Sequence, residues 1–215
     1  MQITEKHATD PTWGNTGEHY LDMVVELAHC VKATSILDYG CGKGTLLDAL
    51  DAQYEGEIVL QGYDPAITKF GLDPEPADLV LCTDVLEHIE PDCIDAVLAH
   101  LRSLTKIGAF LVIHTGPAIH KLPDGRNAHL TQQPLDWWFM KIAPHFHLEK
   151  VQPLDEHTFA ACCVPWSQDV VDRPKHNATP ITDEELEVDL KNRTKAAESV
   201  DTKIKCEGLL GRFKA

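Results

Sequence analysis

Ser35-Ile36-Leu37-Asp38-Tyr39-Gly40-Cys41-Gly42-Lys43-Gly44-Thr45-Leu46-Leu47 is the stretch from which the fold can be read. Ser35–Tyr39 reads as a buried strand that stops at a glycine. Glycines at 40, 42 and 44 let the backbone turn tightly and approach a ligand closely. The helix that follows carries Leu46, Leu47 and Leu50 on one face and presents free N–H groups at its start. A bare Gly-x-Gly-x-Gly also fits an ordinary turn, so the neighbouring elements decide its meaning.

Upstream, residues 18–31 place Tyr20, Val24, Leu27, Ala28 and Val31 on one helical face. Downstream, Ile58-Val59-Leu60 begins a second strand that ends at Tyr63-Asp64-Pro65, and Asp78–Cys82 is a third. Pro91 opens a helix with Ile94, Val97, Leu98, Leu101 and Leu104 at helical spacing. Ala109–Ile113 is a fourth strand, wholly apolar as in a parallel sheet covered on both faces. A helix is expected over 134–143, and Phe146–Val151 with Thr158–Val164 reads as a closing antiparallel hairpin. Strands alternating with helices predict an α/β fold with a doubly wound, mostly parallel sheet. The domain is expected to span 1–165. Residues 166–180, with Pro174 and Pro180, read as a linker, and Thr182 with Glu185 caps a helix over 183–204. The 166–215 segment is therefore a linker plus a helical extension through which copies of the chain can pair.

Asp64 ends the second strand 20 residues after Gly44, where an acid accepting ribose hydroxyls belongs in a nucleotide-binding half-fold. A dinucleotide fingerprint needs a glycine where this chain has Thr45, and an acid at Asp38 is foreign to it. A nicotinamide-dependent oxidoreductase is disfavoured on both counts.

Leu-Asp-Tyr-Gly-Cys-Gly-Lys-Gly at 37–44, Gly-Tyr-Asp-Pro at 62–65 and Thr-Asp-Val-Leu-Glu-His-Ile at 83–89 resemble three motifs of the class I S-adenosylmethionine-dependent methyltransferases. The resemblance covers roughly residues 13–165 and implies a Rossmann-like fold with S-adenosylmethionine as cofactor. It implies that Asp38 and the backbone of Gly40, Cys41, Gly42 and Gly44 hold the methionine part. It places Asp64, with Pro65 beside it, on the ribose, and Asp84 and Val85 beside the cofactor. The chain departs from the family between Asp64 and Asp78, where too few residues remain for the usual helix, strand and helix. A shortened sheet edge is expected there, with Ile67 or Phe70 lining the adenine pocket.

Residues 115–133 form a long loop rich in Gly, Pro and His at the C-terminal end of the fourth strand, where open α/β sheets bind ligands. Arg126 and Asn127 are the candidate acceptor-binding residues, and His129, with an imidazole titrating near neutrality, is the candidate base. A solvated loop whose histidines bond the backbone is the plainer reading. His88 either faces the reacting methyl or caps the next helix. Trp13 either covers the cofactor or staples the first helix, and Trp137-Trp138 should place one ring in the core and one near the pocket. No Cys-x-x-Cys pair exists, and His114, His120 and His129 lack tight ligand spacing, so no metal site is expected.

The net charge of −15 is concentrated in residues 1–165, with 10 Lys/Arg against 24 Asp/Glu. Such a body repels a phosphate backbone, which disfavours a nucleic-acid substrate. Seven cysteines, an odd number in mainly apolar surroundings, fit a reducing compartment, and no apolar run is long enough to span a bilayer. The expected protein is a cytoplasmic enzyme that methylates a hydroxyl or amine of a small or medium-sized acceptor, a carbohydrate or metabolite. The alternative is a non-catalytic cofactor-binding partner subunit.

Overall fold

Strands buried on both faces need apolar side chains at every position, and three segments of the chain meet that demand. Ile36 and Leu37, then Leu79, Val80, Leu81 and Cys82, then Phe110, Leu111, Val112 and Ile113 are all buried. They are the central strands of a six-stranded sheet. The computed structural model describes residues 17–166. Its strands are β1 (Ser35–Tyr39), β2 (Val59–Tyr63), β3 (Ala77–Thr83), β4 (Thr105–His114), β5 (Phe146–Pro153) and β6 (Thr158–Pro165). Their order is β2-β1-β3-β4-β6-β5. The first four are parallel, and β6 runs antiparallel to both β4 and β5. The closing hairpin is therefore as expected, and the architecture is the Rossmann-like one.

Alternation along the strands divides the core. Leu37, Tyr39, Val80, Cys82, Ala109, Leu111 and Ile113 share a cluster with Ile94, Leu98 and Leu101 of α3 (Ile94–Leu104) and Trp138 and Ile142 of α4 (Leu135–Ile142). The intervening side chains face the opposite way, towards α1 (Leu21–Val31) and α2 (Thr45–Tyr54). Trp138 is the buried member of the tryptophan pair, and Trp137 is half-buried with the Lys141 ammonium 5.4 Å from its ring. A 3-10 turn over Gly17–Tyr20 precedes α1, and a left-handed Lys32 ends it, with Ala33 N–H returning to the Ala28 carbonyl at 2.9 Å.

One feature goes beyond the expected map. Strand β4 begins at Thr105, directly after the last residue of α3, rather than at Ala109. Between β2 and β3 there is only a 3-10 turn at Thr68–Phe70, so β2 is the sheet edge, shortened as expected. The winding reverses between β1 and β3, the point beyond whose C-terminal strand ends open α/β sheets bind ligands. Trp13 and the 183–204 helix lie outside the described residues.

Candidate active site

The turn after β1 is built around three glycines with left-handed backbones, Gly40 at φ 80°, Gly42 at 53° and Gly44 at 83°. At Gly40 a Cβ would lie 2.4 and 2.8 Å from the two methyls of Val85, so the glycine lets the ends of β1 and β3 close on each other. The N–H groups of Gly40 and Cys41 donate to the Tyr63 carbonyl at 2.7 and 3.1 Å. Gly42 N–H donates to the Asp64 carboxylate at 3.0 Å, and the other oxygen of Asp64 accepts Ala66 N–H at 2.8 Å. The acid assigned to ribose thus also ties the glycine turn to the end of β2, with exposed Pro65 at the corner. Phe70 packs under this turn, against Gly44 and Gly62, and Cys41 is buried beside it.

Asp38 and Asp64 are both buried beneath the turn, Asp38 with 3% of its surface exposed. Burial, and then the neighbouring Asp64 charge, push the Asp38 carboxyl up to about 7. A cationic ligand is what two such acids lack. The methionine ammonium and sulfonium of S-adenosylmethionine supply that charge. The residues present fit the cofactor that the sequence motifs imply.

Beyond β3 the chain turns through Asp84, a non-glycine residue at φ 55°, whose N–H donates to the Val112 carbonyl at 3.0 Å. The Tyr20 hydroxyl donates to both Asp84 carboxylate oxygens at 3.2 Å. Burial and the Asp84 charge together raise the Tyr20 pKa, so the phenol stays protonated. Glu87, one helical turn further, is completely buried. Its Oε1 accepts His114 N–H at 3.2 Å, while Oε2 is buried with no hydrogen-bond partner among the described residues. Burial and then Asp84 push the Glu87 carboxyl up to about 8.

A chain of four imidazoles begins beside this acid. His88 and His129 have ring centroids 4.9 Å apart, His129 and His114 4.8 Å, and His114 and His157 5.8 Å. The Nδ1 of His88 lies 2.8 Å from the Ala128 carbonyl and that of His129 2.7 Å from the Gly116 carbonyl. A carbonyl only accepts, so each Nδ1 carries the hydrogen and Nε2 is the basic nitrogen. Burial lowers the pKa of His129 below the usual histidine range, which keeps its imidazole neutral.

The sequence-predicted residues divide cleanly. Val85 lies against Gly40 of the turn, His88 packs on His129, and Asp84 lies near enough to His129 to act on its charge. Arg126 instead lies exposed, its guanidinium donating to Glu90 and Asp124 at 2.7 Å each. Asn127 accepts Ala118 and His129 N–H groups at 2.9 Å and donates to the Ala118 carbonyl at 2.8 Å. Both side chains therefore brace the loop that presents His129. Tyr20 and Glu87 received no site role from the sequence. Tyr20 fits the apolar face of its helix, and Glu87 belongs to a motif read for Asp84. His114 entered only as a member of a metal set with His120 and His129 that lacked tight ligand spacing.

A family described as a methyltransferase domain matches residues 13–163. No curated protein matches the sequence. Among solved structures, the chain is similar to 1,6-didemethyltoxoflavin-N1-methyltransferase from Burkholderia thailandensis, with 1,6-didemethyltoxoflavin and S-adenosylhomocysteine bound. The TM-score is 0.56 at 15% identity, over 77% of this chain and 86% of that one. Magnesium protoporphyrin IX methyltransferase from Synechocystis PCC 6803, with S-adenosylhomocysteine bound, gives 0.51 at 17% identity, over 70% and 82%. An O-methyltransferase family protein from Burkholderia thailandensis gives 0.51 at 13% identity over 78% of this chain, which spans 64% of that protein's length. At these identities the likeness is one of fold.

Proposed function

The chain belongs to the methyltransferase-domain family, and from that premise we propose that it transfers the methyl group of S-adenosylmethionine to a hydroxyl of a small or medium-sized acceptor. The observation that carries the hydroxyl is the stacked imidazoles of His88, His129 and His114 at the strand ends, with His129 kept neutral by burial. The cofactor supplies an electrophilic methyl carbon on a sulfonium. Asp38, Gly40, Cys41, Gly42 and Gly44 would hold its methionine part and Asp64 with Pro65 its ribose, beside Asp84 and Val85. The S-adenosylhomocysteine bound in two of the similar structures supports S-adenosylmethionine as the cofactor.

Methyl transfer is an in-line displacement, so the chain's main work is holding nucleophile and methyl carbon in line. An alcohol arrives protonated, and His129 Nε2 accepts that proton while Gly116 holds its Nδ1–H. His88, oriented by Ala128, borders the same space. Arg126 and Asn127 would bind the acceptor from the loop they also brace. A carbohydrate or metabolite suits the acidic body better than a nucleic acid. We assign the chain to the cytoplasm, where thiols such as the six unpaired cysteines among the described residues persist. No helix among the described residues is long and apolar enough to cross a membrane.

The test is His129→Ala. It should bind S-adenosylhomocysteine like the parent and lose about a hundred- to ten-thousandfold in turnover on an alcohol acceptor. Loss of less than tenfold would mean an acceptor, such as a free amine, that needs no base.

A further inference from the structure

Glu87, His88 and His129 each place one metal-ligating atom within 4.8 Å of the others. Glu87–His88 and His129 lie far apart in the sequence, so no short ligand spacing announces the trio. From this grouping and the unpartnered buried oxygen of Glu87 we infer that the three side chains form a binding site for a divalent first-row cation of mixed nitrogen and oxygen preference. The inference rests on the methyl-transfer reading for its purpose, not for its geometry.

Nitrogen and oxygen donors bind such cations at about 2.0–2.2 Å, so their own separations are roughly 3–4 Å. The donor atoms of the present trio lie within 4.8 Å of one another, close to that spacing. Each donor is also held from behind. Ala128 and Gly116 carbonyls fix Nδ1 of His88 and His129, which aims Nε2 at the common space, and His114 N–H holds the other oxygen of Glu87. Carbonyls on the far nitrogen of ligating histidines are the usual way a protein sets their orientation. Glu87 Oε2 is buried without a hydrogen-bond partner among the described residues, an arrangement that is costly until a cation or proton occupies it. Asp84 adds further negative charge beside it.

Two imidazoles and one carboxylate leave coordination positions open, which is the pattern of a site that works on a ligand. An acceptor hydroxyl bound there would become more acidic. Its O–H proton goes to solvent and its oxygen remains as the alkoxide, with no oxidant or reductant required. In the cation-bound protein His129 Nε2 is a ligand. In the cation-free protein it is left as the base.

The full chain, stripped with a chelator and titrated with Co2+ alone, should take up one ion per chain with visible ligand-field absorption. Glu87→Gln and His88→Ala, checked for native circular dichroism, should each weaken uptake more than the ten- to hundredfold lost when a partner behind a ligand is removed. If Glu87→Gln does not fold, His129→Gln on the half-exposed loop makes the same comparison. No uptake by the folded parent overturns the inference, and so does unchanged uptake in the variants. Calorimetry with S-adenosylhomocysteine on the same stripped chain separates the two readings. Nucleoside binding without Co2+ uptake removes the cation site alone. Co2+ uptake without nucleoside binding keeps the cation site and removes the methyl-transfer reading.

Discussion

Gly40 answers two constraints at once, a left-handed backbone and the approach of Val85, and they can be measured apart. Gly56 has nearly the same φ, 84°, but nothing within 4 Å of its would-be Cβ. Gly56→Ala should therefore cost only the left-handed term, about 1–2 kcal/mol. Gly40→Ala should cost that and a further 1–3 kcal/mol, roughly, for overpacking. Val85→Ala added to Gly40→Ala should remove the excess, as denaturant midpoints would show, and additive losses would contradict the packing account. Asp38 yields a second prediction. Its carboxyl rises from 3.8 to about 7 on folding, so the stability it contributes is present in acid and lost as pH climbs through 7. The ligand-free chain should thus be stabilised by Asp38→Asn at pH 8, by at most about 4 kcal/mol, with much less gain at pH 5. The same variant should bind the cationic cofactor more weakly. In the parent, binding should release a proton and tighten between pH 6 and 8, which calorimetry in two buffers reads. At this scale Asp38, Asp64 and the glycines were legible because their chemistry and spacing are local. Tyr20 and Glu87 were not, because a hydroxyl 64 positions away from its carboxylate and a carboxylate without a partner are set by the fold.

Elements were legible where apolar spacing is regular and not where a side chain replaces a turn. The start of β4 escaped notice because Thr105 follows Leu104 without a loop. Its Oγ1 donates to the Leu101 carbonyl at 2.8 Å and so ends α3 from within the strand. The return from β2 to β3 is held in a similar way. Gln61 Oε1 accepts Glu75 N–H at 3.1 Å and its Nε2 donates to the Glu75 carbonyl at 3.4 Å, which pins the Pro74-Glu75-Pro76 segment to the edge strand. Gln61→Ala should raise hydrogen-exchange rates at Glu75 and its neighbours and cost about 1 kcal/mol. An unchanged exchange pattern would mean that the two prolines alone fix the segment.

Across the whole molecule, strand alternation with helices carried the parallel sheet and its closing hairpin. The position of His129 beside Glu87 and His88 could not be read, since it depends on how a loop folds back over the strand ends. The sheet is complete at Pro165, and residues 166–215 should be dispensable for cofactor binding. A chain ending at Ser167 is expected to bind S-adenosylhomocysteine with parental affinity, and to be monomeric if copies associate through 183–204. Loss of binding in a folded, shortened chain would place the extension at the cofactor. The central claim is catalysis by the imidazoles at the strand ends, and it is reached most directly by turnover. S-adenosylhomocysteine formation from S-adenosylmethionine should be followed with the small-molecule fraction of a cell extract as acceptor source, for the parent and for His129→Ala. Acceptor-dependent product from the parent, and its loss in a variant that still binds the nucleoside, is the predicted result. No product from a parent that binds cofactor, the behaviour of a non-catalytic partner subunit, or equal product from both, would contradict it.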